Sequence, residues 1–458
     1  MINETVDFDT LNKNDFDNQP SPFWPLKTNY NECDWKIAAG YFISDLYKVD
    51  VENQSVESLR IASLEHFSKK GMSKQFCELI NKAYFTKSDV YRLSPICLLL
   101  YTHTLPNEAK DGNVEEIDLG KRKNVVRASR RVATNLSNLL SFNKGLESDN
   151  LLNDFISNEI CSLINTKPKK FDKSLKHEYL PFLSHYFNLD LCFLASNPSF
   201  LLENIALFLQ LYTFLYMSQL SLNISEWSSG MPSSKPLYFI LENEKASQER
   251  MYLNNNGWKS FEDSIKKIFP ILSLVQVLAV NKKDPEPLWS LYDKLDKYDN
   301  NQDIVQSLDH YAERFSKKLL NFVYDKKSPN IFEAITNLSD LYCKQFDKKY
   351  ISSENKKGGV NGKIINSIID NYTSGFRQTR RRGGTHLVIN QDMLLFITNL
   401  IIGNNGKMRF NELIDNFNSR GIYFDSQSKS KLLDFFQRIG NIEKKSDSGD
   451  AVYVNSTI

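Results

Sequence analysis

Eighteen consecutive residues without a charge, Ile205 to Leu222 (IALFLQLYTFLYMSQLSL), constrain this chain more than any other segment. That length reaches the lower limit of a membrane-spanning helix. Gln210, Thr213, Ser218 and Gln219 interrupt the run, Glu203 stands just ahead of it, and no Lys/Arg-rich flank marks a cytoplasmic side. A helix apolar on every side is expected in the interior of a large helical domain. The reading is a protein built around such a helix, with no membrane partner; a membrane span is the alternative.

Composition points the same way. Hydrophobic residues make up 41% of the 458 and charged residues 24%, which excludes a globally disordered chain. Gly (18) and Pro (14) are few while Phe (30) and Tyr (21) are many, favouring helices packed through aromatic cores over a turn-rich β fold. The net charge of +2 gives no overall basic bias, so any nucleic-acid contact must come from local charge. The cysteines at 33, 77, 97, 161, 192 and 343 form no CxxC pair, and the dispersed histidines form no HxxxH or HExxH. A reducing compartment follows, and neither metal nor cofactor is expected. The opening MINETVDFDT lacks a basic and apolar leader, so a cytoplasmic location is expected.

Five segments are expected. Residues 1–25 carry five acids and one Lys in the first twenty and read as an acidic flexible arm. Residues 26–178 form an N-terminal helical region, with Phe76, Leu79, Ile80 and Ala83 at helical spacing and a basic linker at 166–178. A central helical domain spans 179–350, where Leu237–Leu241 (LYFIL) is either a buried strand or a helix start. Residues 351–384 read as a Gly/Arg-rich hinge and basic arm, and 385–458 as a separate domain.

That last segment carries the clearest pattern. Asn390 can cap a helix bearing Met393, Ile397, Leu400 and Ile401, and Gly403 and Gly406 end it. Residues 407–410 suit a strand, Asn411 can cap a second helix, and Asp425 a third with Leu432, Phe436 and Ile439 inward. Ile442–Lys445 and Ala451–Val454 then read as a hairpin. Three helices and a terminal hairpin are the order of a winged helix, a helix-turn-helix variant. The expected fold is thus mainly α, a large helical N-terminal and central body with a C-terminal winged helix.

Charge placement suggests double-stranded DNA. Gln427, Ser430, Lys431 and Arg438 lie opposite the inward stripe of the third helix, Lys429 flanks it, and Lys444 and Lys445 sit on the wing. Just upstream, Arg377, Arg380, Arg381 and Arg382 fall within six residues, suited to a flexible arm on a phosphate backbone. Residues 356–384 hold seven Lys/Arg and one acid, a net of +6. Asp434, Asp447 and Asp450 oppose this, and a winged helix can equally grip another protein.

Three other patterns carry alternatives. Lys121–Arg131 has six basic residues in eleven and suits either a second DNA contact or a helix face paired with acids of the N-terminal arm or Glu115–Glu116. Glu242 and Glu244, with Lys245, loosely follow the acid-x-acid arrangement of a metal-dependent nuclease, against which stands an ordinary polar surface. Lys357–Lys363 fails as a phosphate loop, since Lys357 and Ile364 occupy its Gly and Ser/Thr positions.

The stretches RGIYFDSQSK (420–429) and EKKSDSGDAVYV (443–454) resemble the C-terminal end of the DptG family, the small subunit of the DNA phosphorothioation-dependent restriction system. Residues 236–269 and 201–220 are similar to that family too, whereas 1–180 contribute little. The resemblance implies a non-catalytic DNA-binding and assembly subunit of a multi-subunit antiviral defence complex. It would act on unmodified DNA beside DptF-like and DptH-like ATPase subunits. The resemblance supplies no catalytic residues. The alternatives are a nuclease using Glu242 and Glu244 and a pure scaffold.

Overall fold

The computed structural model describes residues 21–27, 29–52, 56–85, 119–140, 155–168, 175–245, 250–298, 301–353, 355–357, 360–381, 383–444 and 452–458, with Val6, Asp7, Leu11 and Phe16. These are mainly helical, with a few short strands. The chain divides into two compact units, each assembled from separate stretches.

One unit comprises Tyr30–Lys173 and Phe187–Thr213. Its helices include α1 (Trp35–Tyr47), α2 (Val56–Lys69), α3 (Lys74–Tyr84), α4 (Leu119–Ser137) and α5 (Phe155–Cys161). The Asp34 carboxylate caps α1, accepting from the amides of Lys36 and Ile37 at 2.9 and 3.1 Å. α1 packs along α4, where Ser137 donates to the buried Asp45 at 2.9 Å. β1 (Val49–Val51) pairs antiparallel with β2 (Thr166–Pro168), so the expected basic linker opens as a strand.

α6 (Pro181–Ser196) and α7 (Pro198–Asn223) give residues 187–196 and 198–213 to this unit. Phe187 meets Phe42 edge-on at 5.9 Å and Phe208 at 5.1 Å, and the Tyr212 hydroxyl donates to the buried Asp190 carboxylate at 2.5 Å. The uncharged run is therefore an interior stretch of helix, its most apolar window 67% buried. Its hydroxyls are satisfied locally: Thr213, Ser218 and Ser221 donate to the carbonyls of Leu209, Leu215 and Met217. Burial pushes the Cys33 thiol up to about 12, which removes it as a nucleophile at neutral pH.

The second unit comprises Met1–Asn29, Ser174–Tyr186 and Phe214–Ile458. The stretch expected as a free acidic arm contributes Val6, Leu11, Phe16, Phe23 and Trp24 to its core. Phe16 meets Tyr311 and Phe315 edge-on at 5.3 and 5.5 Å, and Asp7 pairs with Lys282 at 3.1 Å. The apolar residues spaced between the acids can bury because Asp7 stays paired rather than being stranded beside them.

After β3 (Leu237–Tyr238) and β4 (Ile240–Leu241) come α8 (Met251–Asn256), α9 (Trp258–Ile265), α10 (Ile268–Leu278), α11 (Leu288–Asp296), α12 (Gln302–Phe315) and α13 (Ile331–Gln345). α13 packs on α10, α11 and α12, and the hydroxyls of Tyr311 and Tyr342 share a buried hydrogen bond at 2.9 Å. α14 (Val360–Tyr372) then occupies much of the expected hinge, because Ile364, Ile368 and Tyr372 make a buried stripe at i, i+4, i+8.

The stretch LYFIL resolves as strand. β3 pairs in parallel with β8 (Ile422–Tyr423), and β4 in parallel with β6 (Gly384–Ile389), which also pairs antiparallel with β5 (Arg377–Arg380). A run apolar at nearly every position suits a strand covered on both faces. Phe239 within it meets Phe214, which also meets Phe261 and stacks on Phe376 at 4.3 Å. Gly421, just before β8, has φ +87°, and a Cβ there would meet the Gln219 amide nitrogen at 2.1 Å. That amide cannot swing away freely, since it bonds both the N–H and the C=O of Lys235 at 2.9 Å. Gly421→Ala is expected to cost about 1–2 kcal/mol for the left-handed backbone alone and more with the clash; a denaturation midpoint equal to wild type refutes it.

Candidate nucleic-acid interface

The C-terminal elements follow the expected order, with local differences. α15 (Gln391–Ile402) is capped by Asn390, whose side chain accepts from the Met393 amide at 2.8 Å. β7 (Lys407–Arg409) leads into α16 (Phe410–Ser419), which starts one residue ahead of the expected Asn411 cap and has no side-chain cap. α17 (Ser426–Arg438) is capped by Asp425, which accepts from the Ser428 amide at 2.9 Å. Leu432 and Phe436 are inward as expected, but Phe435 takes the place assigned to Ile439. Ile439 lies just past the last helical residue and is 42% exposed. β9 (Ile442–Lys444) and β10 (Val452–Asn455) complete an antiparallel sheet in the order β7-β10-β9.

The outer face of α17 is as the spacing implies: Gln427, Ser430, Lys431 and Arg438 are exposed, and Lys429 is half-buried. Lys431 is not a free cation, since it pairs with Asp434 at 3.4 Å. Lys444 lies opposite Val452 in the sheet register, while Lys445, Asp447 and Asp450 lie outside the described residues. On the same sheet, Lys407 and Arg409 both sit over the Tyr453 ring, at 5.7 and 5.8 Å. Spacing holds no hint of this group, because it forms only when β7 meets β10.

The arginine cluster is not a flexible arm. Arg377 to Arg380 form β5. Arg377 lies over the Trp258 ring at 5.3 Å. The Arg380 guanidinium donates to the carbonyl of Glu242 at 2.9 Å, to that of Glu244, and to the Gln378 side chain. A planar fork of donors suits backbone carbonyls that the turn after β4 leaves without strand partners. Arg381 is exposed, and Arg382 lies outside the described residues. Lys121–Arg131 likewise mixes uses: Arg130 covers the Tyr41 ring at 5.6 Å and Arg131 donates to the Tyr30 carbonyl at 2.9 Å, while Lys123 and Arg127 are exposed. Glu115 and Glu116 lie outside the described residues.

Glu244 lies at the centre of a network of buried and nearly buried charge. Its side chain is 2% exposed. Arg250 donates to it at 2.6 Å and forks onto Asp425, Nε to Oδ2 at 2.7 Å and Nη2 to Oδ1 at 2.5 Å. Ser428 bonds both Arg250 and Glu244. Burial raises the Asp425 carboxyl, but the Arg250 hydrogen bonds, the Ser428 amide and the Arg250 charge outweigh it and hold the group below the usual carboxylate range. The network ties the first turn of α17 to the turn after β4. Only Asp425 was foreseeable, as a cap; Arg250 and Ser428 lack any local signal because their partners lie far off in sequence.

Glu242, by contrast, is exposed, so the two carboxylates do not share an environment. Among the described residues no group of three or more His, Cys, Asp or Glu could hold a metal ion. Between residues 242–245 and the outer face of α17 lies a cleft of about 950 Å³, with Leu241 and Ile389 at the ends of β4 and β6 in its lining. No protein-family model and no curated protein matches this chain.

Proposed function

We propose that this chain is a non-catalytic DNA-binding and assembly subunit of a phosphorothioation-dependent restriction complex, a cytoplasmic antiviral defence system acting on unmodified DNA. Residues 385–458 would form its winged-helix domain, and DptF-like and DptH-like ATPase subunits would be its partners. The observation that carries the reading is the antiparallel β7-β10-β9 sheet with α16 packed on β7 and β10 and α15 packed on α16, while α17 leaves Gln427, Ser430 and Arg438 exposed opposite its buried stripe.

The geometry supports assembly further than sequence-specific reading of DNA. A helix that reads the major groove offers its N-terminal turn. Here that turn is tied down by Arg250 and Glu244, and the face beyond it looks across a cleft at residues 242–245. DNA engagement is therefore assigned to phosphate contacts from Arg381, Arg438 and Arg409, since Lys407 is already paired with Glu443 at 2.7 Å. The nuclease alternative loses its carboxylate pair, because Glu244 is already bonded to Arg250 and Ser428.

Duplex binding by the full chain, measured at several salt concentrations, tests this. Arg381→Ala with Arg438→Ala is expected to weaken binding for all sequences alike. The log–log salt slope should become shallower by about 0.9 for each phosphate that the variant no longer neutralises. An unchanged affinity and slope removes DNA from the reading and leaves the scaffold. Plasmid cleavage with Mg²⁺ that Glu242→Ala abolishes would restore the nuclease.

A further inference from the structure

Three cations stand in line on α4: Lys123, Arg127 and Arg130, at i, i+4 and i+7. That spacing puts them on one helix face, and all three are exposed, as is Thr134 further along. On the other side Ala128, Val132, Ala133 and Leu136 are buried, and α1 packs along this helix. Leu119–Ser137 holds six cations and no acid. Like charges one turn apart on a helix surface repel and weaken the helix. The fold itself therefore gains nothing from the stripe.

Nor does the unit neutralise it. Among the described residues no acid forms an ion pair with Lys123, Arg127 or Arg130. The acids brought close are engaged elsewhere: Asp34 accepts from the amides of Lys36 and Ile37, and Asp50 from the Val51 amide at 3.0 Å. Arg131 is committed to Tyr30 and to the Asn31 side chain at 3.2 Å, and Glu32 beside that contact is exposed, so the stripe runs from Arg130 back to Lys123. Arg130 lies over the Tyr41 ring at 5.6 Å, which orients the guanidinium without cancelling its charge.

The class of partner follows from what this face lacks. The exposed positions described on α4 are all polar. A protein interface sets apolar side chains at its centre and leaves charge to the rim, and a membrane-surface helix needs an apolar face turned outward. From Lys123 to Arg130 the helix advances about 10 Å, at roughly 1.5 Å per residue. That length of duplex carries roughly six phosphates, so each cation can meet its own.

We infer that this face of α4 is a second phosphate-backbone contact for duplex DNA. It is blind to sequence, because phosphates carry no base information. The inference deepens the DNA-binding role proposed above and rests on it, but it places a contact in the unit containing Tyr30–Lys173, apart from the C-terminal elements. Arg127 and Lys123 act as point charges, with Arg130 fixed beside them.

Duplex binding by the full chain at several salt concentrations, on two duplexes of unrelated sequence, tests it. Lys123→Ala/Arg127→Ala is expected to weaken binding about tenfold on both, and to make the log–log salt slope shallower by about 1.8, for two phosphates no longer neutralised. Lys123→Arg/Arg127→Lys keeps the charges and should keep both values. Lys69→Ala/Lys363→Ala removes two exposed charges from other helices and should change neither. A wild-type affinity and slope in Lys123→Ala/Arg127→Ala overturns the inference. An equal loss in Lys69→Ala/Lys363→Ala overturns it too, since net charge alone then accounts for the effect. Poly-glutamate bound more tightly than duplex by the wild type, and released by Lys123→Ala/Arg127→Ala, gives the face to an acidic protein and overturns it as well. Arg381→Ala/Arg438→Ala judges the C-terminal contact separately. Loss confined to that pair strikes the α4 contact alone, whereas loss confined to Lys123→Ala/Arg127→Ala strikes the C-terminal contact and upholds α4.

Discussion

Arg250→Met is expected to destabilise the unit containing Phe214–Ile458 by about 3–5 kcal/mol, because it strands Glu244 and Asp425 as buried or nearly buried carboxylates. Methionine keeps the stem's bulk, so the loss is electrostatic rather than a cavity. Adding Glu244→Gln to Arg250→Met should recover part of it by removing one stranded charge. The effect carries a pH signature. The Asp425 carboxyl sits below its usual value in the folded protein, so its stabilisation is fully present above about pH 4 and fades as pH falls through the folded value. Urea denaturation of both proteins at neutral pH and at falling pH measures this. The gap should be widest at neutral pH and narrow in acid; a gap below 1 kcal/mol, on the order of a surface pair, contradicts it.

Phe376→Ala should be of similar size by a different route. Phe376 is 1% exposed, stacks on Phe214, and gives its carbonyl to the Val388 amide of β6. Truncation removes the stacked ring and leaves a void among Phe214 and its neighbours Phe239 and Phe261, worth about 3–5 kcal/mol. The hydrogen bond involves backbone only and survives. Phe376→Leu should lose clearly less. Equal midpoints for the two variants in equilibrium denaturation would mean that the ring's shape is irrelevant and the aromatic cluster is incidental.

The elements of the C-terminal region are legible because each carries its own local chemistry. Asn390 and Asp425 cap as their side chains require, and Leu432 and Phe436 turn inward at helical spacing. Asn411 fails as a cap because Phe410 already belongs to the helix, and no side chain caps it. The arginines depart from the local reading for a deeper reason. Four cations in six residues read as a solvated arm, yet β5 pairs with β6 and places Arg380 on the carbonyls of Glu242 and Glu244. A guanidinium does that only when a distant turn supplies unpaired acceptors.

The sequence alone determined the mainly helical character, the interior position of the uncharged run and the helix caps near the C-terminus, because propensity, periodicity and capping act over a few residues. Tertiary structure decided what those elements face. It inserted Leu237–Leu241 beside β6 and β8, buried Glu244 under Arg250, and turned the outer face of α17 toward a cleft. Such partners lie far apart along the chain, and only folding closes the loops between them, so local pattern holds no record of which residues meet.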